Sequence, residues 1–263
     1  MDLGLSNRVA VVAASSRGLG KAVAEDLAAE GARLALCARN ESTLRATADS
    51  IRERFQVPVL DRALDVRDPA AVKSFVSATV ETFGRVEIGV ANAGGPPSKA
   101  FAETTIEDWR NAFDLNFMST LCLIRALLPH MQKQKWGRIV AITSITVKQP
   151  TEGLILSNAI RAGVAGLIKS LSNEYAKDNI LINNVCPGFT ATDRLREVAA
   201  AQATAQGVTS DEIVERSSRG IPLGRLGRPE EFAAVVAFLC SEKAGYVTGS
   251  SIAIDGGVVK GIY

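Results

Sequence analysis

Short apolar runs rich in β-branched residues alternate along this chain with longer amphipathic segments, and this alternation limits the possible folds more than any other feature. The pattern is typical of β-α-β units, in which helices cover both faces of each parallel strand. Seven such runs predict strands at residues 8–14, 33–38, 57–64, 86–92, 137–144, 181–186 and 250–254. The sequence therefore predicts an α/β fold with one parallel sheet.

The segments between the strands predict helices that begin near six residues, namely Gly18, Glu41, Pro69, Thr105, Glu152 and Pro229. No linker rich in proline, glycine or serine and no internal repeat interrupts them, so residues 1–263 are predicted to form a single doubly wound domain. Residues 189–219 are rich in alanine and glutamine and lie between the sixth and seventh strands. We expect this segment to form a lid over a substrate pocket within the domain.

Charge and cysteine usage exclude several classes of function. Thirty basic residues oppose 28 acidic residues and leave a net charge of +2, without a dense basic run. A nucleic-acid or membrane partner is therefore not expected. The four cysteines match neither a C-x-x-C pair nor zinc spacing, and they are Cys37, Cys122, Cys186 and Cys240. We expect reduced, buried cysteines, no metal site, and a cytoplasmic protein that acts on a small molecule.

A glycine-containing loop at residues 13–20 (AASSRGLG) directly follows the first predicted strand and opens a helix. Glycines allow a backbone to approach a pyrophosphate closely, and the helix N-terminus supplies unpaired N–H groups and partial positive charge. The loop is therefore a candidate dinucleotide site, although a tight strand-to-helix turn without a ligand has the same pattern. The methyl group of Ala14 suits such a site if the φ angle of that residue is negative.

The end of the second strand indicates which dinucleotide the site prefers. A protein that prefers NAD usually places an acidic residue there to hold the ribose hydroxyls, but this chain has Cys37-Ala38-Arg39-Asn40. Arg39, together with Arg17 in the glycine loop, is placed to pair with a 2'-phosphate. Either arginine alone is equally compatible with a solvated surface residue, but their joint positions predict NADP(H).

Further motifs follow later strands, with Asn92-Ala93-Gly94 after the fourth and Pro187-Gly188 and Thr192 after the sixth. Together with segments 222–231 and 249–257, they make nearly the whole chain resemble the short-chain dehydrogenase/reductase family, especially its 3-oxoacyl-carrier-protein reductase-like branch. The resemblance implies a Rossmann-type sheet, a homo-oligomer that is a tetramer or a dimer, and NADP(H) as the cofactor. The cofactor-binding residues that it implies are Ala14, Ser15, Ser16, Arg17, Gly18, Leu19, Gly20, Arg39, Asp65, Val66, Asn92, Ala93, Gly94, Pro187, Gly188, Thr190 and Thr192.

The chain departs from the family pattern at its catalytic positions. Ser144 aligns with the family serine that hydrogen-bonds the substrate carbonyl, and Asn116 with the asparagine of the proton relay. The family tyrosine and lysine positions fall on Ser157 and Arg161, in a register fixed by the family-like run at residues 162–167. Arg161 keeps a positive charge able to bind the nicotinamide ribose, but a serine hydroxyl is a far weaker acid than a phenol. The resemblance thus implies Ser144, Asn116, Ser157 and Arg161 as an altered catalytic set.

Three interpretations of these substitutions are open. The first is an NADP(H)-dependent oxidoreductase that reduces a 3-oxoacyl-like carbonyl through an altered proton relay. The second is a catalytically impaired nucleotide-binding sensor or interaction protein. The third is a protein similar to the halohydrin dehalogenases, in which arginine replaces the lysine, but that group retains the tyrosine and has lost the nucleotide loop. In an oligomer, Tyr263 at the chain end is a source of a phenol for a neighbouring subunit.

Overall fold

The computed structural model describes residues 2–262 and contains a seven-stranded parallel sheet with the strand order β3-β2-β1-β4-β5-β6-β7. The strands are β1 (Val9–Ala13), β2 (Arg33–Ala38), β3 (Val59–Ala63), β4 (Ile88–Ala91), β5 (Gly137–Ile142), β6 (Ile180–Pro187) and β7 (Ser251–Ile254). The prediction of an α/β fold with one parallel sheet is confirmed, and five of the seven observed strands are shorter than predicted.

Nine α-helices surround the sheet within residues 2–262. They are α1 (Gly18–Ala29), α2 (Glu41–Phe55), α3 (Pro69–Phe83), α4 (Ile106–Phe113), α5 (Ser119–Gln134), α6 (Ile155–Tyr175), α7 (Asp193–Gln206), α8 (Ser210–Arg219) and α9 (Pro229–Cys240). Local chemistry explains several starts. For example, the Asp68 side chain accepts hydrogen bonds from Ala70 N and Ala71 N, and Pro69 occupies the first turn of α3.

The helix predicted near Glu152 begins later, at Ile155. Gly153 has a φ angle of +72°, which lies in the left-handed region and is incompatible with a right-handed helix. The glycine therefore delays the start of α6. This difference places Ser157 in the first turn of the helix, where the side chain faces the loop that follows β5.

Helices α4 and α5 form one continuous helical stretch, interrupted by a π-helical turn at Asp114–Met118. By length and composition alone, Ile106–Gln134 could cross a membrane, which is weak evidence because core helices meet the same criterion. Buried α5 residues, including Leu123, Leu127 and Met131, pack against the central sheet. This packing accounts for the apolar character of α5 within the fold.

Alternate residues of the strands face two separate hydrophobic cores. In β1, Ala10 and Val12 belong to the core beneath α1, α2 and α9, whereas Val11 and Ala13 face the core beneath α3, α5 and α6. The strand order reverses between β1 and β4. In open α/β sheets, such a reversal opens a crevice at the carboxyl ends of the strands, where ligands bind.

Helices α7 and α8 occupy the segment for which the sequence predicts a lid. Ala199, Ala203 and Ile213 form a small apolar cluster of their own, with Val208 and Val214 packed against it. This cluster is distinct from the two cores that cover the sheet. The helical pair therefore holds itself together largely through contacts between α7 and α8.

Candidate active site

Two residues between the end of β1 and the start of α1 have φ angles in the left-handed region: Ala14 with +50°, and Gly18, the first residue of α1, with +59°. The condition under which the methyl group of Ala14 suits a phosphate site, a negative φ angle, is therefore not met. A left-handed conformation costs an L-residue about 1–2 kcal/mol because its Cβ crowds the following carbonyl oxygen. Within residues 2–262, no side chain caps the N-terminus of α1, so a capping side chain does not occupy its first N–H groups.

Gly20 lies where the glycine loop contacts Asn92, directly after β4. A Cβ atom at this position would lie 2.4 Å from Ala14 O and 2.7 Å from Asn92 Nδ2. The Asn92 amide itself donates to Ala14 O at 3.3 Å and ties the loop to the end of β4. Only glycine suits this close approach.

Both predicted phosphate-binding arginines are exposed at the rim of the crevice. The Arg17 side chain forms a salt bridge with Glu197 of α7, with Nη2 and Oε1 3.3 Å apart. Arg39 follows β2 directly, and its charge contributes to a lowered pKa of Asp65. The larger cause of that lowered pKa is hydrogen bonding from Arg67, which occupies both carboxylate oxygens of Asp65. An adenine amine that reached Asp65 would therefore have to compete with Arg67, while the neighbouring Val66 is buried.

Asn116 lies within the π-helical turn between α4 and α5, with its side chain buried. Its Nδ2 donates to Gly94 O at 2.8 Å, so the turn holds the loop of Asn92, Ala93 and Gly94. The Asn116 Oδ1 atom is buried and has no hydrogen-bond partner within residues 2–262. A buried acceptor without a partner is uncommon, and it marks a place for a water or a ligand donor.

A buried pair of hydroxyl groups lies beside the end of β5. Ser144, two residues beyond the strand, caps a short 3₁₀ turn by accepting from Thr146 N at 3.2 Å. The Thr146 and Ser157 hydroxyls are 3.1 Å apart, and both residues are buried. The sequence analysis missed Thr146. The only sequence feature that could have indicated Thr146 is its position two residues after Ser144, because that spacing places both hydroxyls in the same turn.

Arg161 is buried with 7% of its surface exposed, one helical turn beyond Ser157. Its Nη1 donates to the carbonyl oxygens of Ile142 and Thr143 at 3.1 and 2.9 Å. Burial, and then the charge of Arg194, lower the pKa of Arg161 to about 10, against a smaller raising effect of Cys186. The guanidinium therefore remains charged near neutral pH.

The segment after β6 brings the lid toward the glycine loop. Thr190 is buried and pairs through its backbone with Gly227, and the Gly188 N–H donates to Ile254 O at 2.9 Å. The Thr192 side chain lies 3.9 Å from where a Cβ on Gly18 would be. Of the predicted residues, Pro187 ends β6, Gly188 and Thr190 follow it, and Thr192 lies beside the glycine loop.

Neither tyrosine within residues 2–262 lies beside Ser157. Tyr175 ends α6, about five turns from Ser157 at 3.6 residues per turn, and Tyr246 is fully exposed on the surface. Tyr263 lies outside the described residues.

The four cysteines are free, and Cys122 is only half-buried, contrary to the expectation of four buried thiols.

The chain is similar to known proteins over nearly its whole length. Residues 13–259 match the family model described as Enoyl-(Acyl carrier protein) reductase. The 3-oxoacyl-(acyl-carrier-protein) reductase of Aquifex aeolicus is 33% identical over 258 residues, covering 98% of this chain and 100% of that protein. L-Sorbose reductase from Gluconobacter frateurii, in a crystal structure complexed with NADPH and L-sorbose, matches with a TM-score of 0.94 and 35% identity, covering 100% of both chains. A variant of actinorhodin polyketide ketoreductase with NADPH matches with a TM-score of 0.93 and 33% identity, covering 97% of this chain and 98% of that one.

Proposed function

The chain belongs to the short-chain dehydrogenase/reductase family, and from this premise we propose that it is an NADP(H)-dependent reductase of a 3-oxoacyl-like carbonyl with an altered proton relay. Its relatives are 3-oxoacyl-(acyl-carrier-protein) reductases and ketoreductases, so the coarser assignment is an NAD(P)-dependent ketoreductase. The finer proposal concerns which residues replace the tyrosine and lysine of the family.

NADP(H) is the cofactor, and the residues of the crevice fit it. The uncapped N-terminus of α1 and the close approach at Gly20 provide a place for the pyrophosphate, and exposed Arg17 and Arg39 are available to a 2'-phosphate. When bound in its reduced form, the cofactor supplies a hydride to the carbonyl carbon. Arg17 would have to exchange its exposed salt bridge with Glu197 for the phosphate, which costs little because exposed ion pairs contribute only about 0–1 kcal/mol.

The protein must supply a hydrogen bond and a proton to the carbonyl oxygen. We place that oxygen near Ser144 and Ser157, because both hydroxyls lie at the carboxyl end of β5. Thr146 holds the Ser157 hydroxyl, and together they can pass a proton from water to the alkoxide. The charge of Arg161 stabilises the developing negative charge on the oxygen. The single observation that carries this proposal is the buried Thr146–Ser157 pair, which replaces a phenol with two linked hydroxyls.

Such a relay is expected to be slower than one with a phenol. General acid catalysis contributes roughly 10²–10⁴-fold, and an unactivated serine hydroxyl retains only part of this. A well-oriented hydride donor still accelerates reduction through proximity. If the relay contributes nothing, the alternative function, a nucleotide-binding sensor or interaction protein, becomes the better account.

Residues 189–219 act as the substrate lid within the single domain 1–263. A homo-oligomer is supported by an exposed apolar groove between α4 and α6, lined by Ile106, Trp109, Arg110, Phe113 and Ile160. An apolar patch of this kind on a soluble domain typically marks an interface. The cytoplasm stays the predicted compartment.

Oxidation of NADPH in the presence of an acetoacetyl thioester tests the proposed relay. We expect slow but measurable turnover by the wild type, and a further loss of about tenfold or more in Ser157→Ala and in Thr146→Val, within the range of general acid contributions. Ser170→Ala is the matched control, because Ser170 lies exposed on the same helix and bonds only its own helix backbone. Unchanged rates in both hydroxyl variants would contradict the relay, and NADPH binding without any turnover would favour the sensor.

A further inference from the structure

The N-terminal end of the lid helix α7 lies against the loop between β1 and α1. The Arg17 side chain in that loop pairs with Glu197 of α7, with Nη2 and Oε1 3.3 Å apart. Just before α7, the Thr192 side chain lies 3.9 Å from the position of a Cβ atom added to Gly18. An ion pair and a close approach therefore place the start of the lid beside the loop that is predicted to receive the cofactor phosphates.

The two lid helices have the features of a unit that moves as a whole. Helices α7 and α8 share an apolar cluster of their own, which includes Ala199 and Ile213. The segment that enters the lid pairs with one that follows it, because Ala191 N donates to Gly227 O at 2.9 Å and Gly227 N donates to Phe189 O at 3.0 Å. A unit with its own core and a paired base can turn about that base while its helices stay intact.

Glu197 has a second cationic partner, which makes its contact with Arg17 exchangeable. Arg194 Nη1 lies 3.5 Å from Glu197 Oε2, and Arg194 Nη2 donates to Pro96 O at 2.8 Å. When Arg17 turns away, the carboxylate retains Arg194, and the lid retains its hydrogen bond to the loop after β4. The Arg17 and Glu197 side chains are 64% and 47% exposed, so the exchange buries neither charge.

Glu197 and a 2'-phosphate compete for the same guanidinium. Arg17 is the predicted partner of the phosphate, together with the exposed Arg39. A carboxylate beside Arg17 occupies one of its donors and repels a phosphate by like charge. NADP(H) therefore has to displace the carboxylate, whereas NAD(H), which has a hydroxyl group at the 2' position, leaves the ion pair in place.

We propose that the Arg17–Glu197 pair is a lid latch that distinguishes the two cofactors, because the 2'-phosphate takes Arg17 from Glu197 and releases the lid from the glycine loop. This inference rests on the proposed function, which assigns the phosphate to Arg17. The coupling is reciprocal: the factor by which the phosphate favours the released lid equals the factor by which the released lid favours the phosphate. Since the pair is exposed, that factor is about fivefold at most.

Hydrogen exchange of the α7 amides, measured with two nucleotide fragments, tests the lid latch without turnover. Adenosine 2',5'-bisphosphate carries the 2'-phosphate and 5'-AMP does not, and neither has a nicotinamide to contact the lid. At saturation, we expect the bisphosphate to speed α7 exchange in the wild type by about two- to fivefold and 5'-AMP to leave it unchanged. Glu197→Gln should exchange faster without a ligand, respond to neither fragment, and bind the bisphosphate about two- to fivefold more tightly in calorimetric titration.

Glu215→Gln is the matched control, because Glu215 forms its ion pair with Arg219 inside α8, and this variant should behave like the wild type. A Glu215→Gln variant that matches Glu197→Gln would overturn the lid latch, since any lost ion pair of the lid would then suffice.

The other outcomes separate this inference from the proposed function. Equal affinity of the wild type and Glu197→Gln for the bisphosphate, or α7 exchange that the bisphosphate leaves unchanged, overturns the lid latch. Equal affinity of the wild type for both fragments overturns the 2'-phosphate site at Arg17 and the lid latch with it. The expected fragment results in a protein that binds NADPH but never oxidises it would support the lid latch and refute the reductase alone.

Discussion

Replacing Ala14 by glycine should make the protein more stable, which is unusual for a substitution that adds backbone freedom. Ala14 has a φ angle of +50°, and relief of the left-handed strain is worth about 1–2 kcal/mol. The greater flexibility of the unfolded glycine chain offsets about 0.5–1 kcal/mol of this gain. The expected net effect is a stabilisation of roughly 0.5–1 kcal/mol.

Ala13→Gly is the matched control, because Ala13 is the preceding residue, lies in β1 and is 3% exposed. This change has no left-handed strain to relieve. It costs about 0.5–1 kcal/mol in backbone entropy and about 0.8 kcal/mol for a buried methyl group. The two variants should therefore differ in free energy of unfolding by about 2 kcal/mol, in opposite directions from the wild type.

Urea unfolding of the three proteins at one protein concentration measures the difference. Titration with NADPH should show that Ala14→Gly binds the cofactor at least as tightly as the wild type, because the phosphate loop gains space. A loss of stability in Ala14→Gly equal to that in Ala13→Gly would refute the argument that the loop stores strain.

Two further predictions concern charge. Arg39→Ala should remove most of a preference for NADPH over NADH that we expect to be at least tenfold, or about 1.4 kcal/mol, and equal affinities in the wild type would contradict the 2'-phosphate site. The free energy of unfolding should be constant above about pH 4.5 and fall toward pH 2. Hydrogen bonds from Lys99 and Thr105 lower the pKa of Asp108 from 3.8 to about 2. Hydrogen bonds from Arg225 and Arg228 lower the pKa of Glu231 from 4.5 to about 2. A carboxylate with a lowered folded-state pKa stabilises the protein above its unfolded pKa and loses that effect as acid protonates it. Glu231→Gln should weaken the acid dependence in urea titrations, and an unchanged dependence would argue against the pairing.

The sequence predicted most of the fold because buried parallel strands and capped helices leave local signals. Pro69 after Asp68, for example, marks the start of α3 without any tertiary information. Gly153, in contrast, moved the start of α6, since a glycine's φ angle depends on the packing around it. The left-handed conformation of Ala14 could not be predicted for the same reason. Alanine disfavours this conformation, and the packing of the surrounding loop imposes it.

For the candidate site, the sequence predicts residues but not the contacts between their side chains. Spacing placed Ser157 and Arg161 on one face of a helix, as observed. It could not show that Thr146 contacts the Ser157 hydroxyl, or that Arg161 donates to the carbonyl oxygens of Ile142 and Thr143. Those contacts depend on how a loop and a helix from different parts of the chain pack together, and the proposed relay rests on them.

The most direct test of the central claim is the rate of NADPH oxidation with an acetoacetyl thioester by Ser157→Tyr combined with Arg161→Lys. The claim is that the scaffold is an intact reductase whose proton donor alone has been replaced. We expect the double variant to oxidise NADPH about 10²-fold faster than the wild type, in line with the contribution of a general acid. A wild type that reduces the thioester briskly, with a double variant that folds and binds NADPH but is no faster, would contradict it.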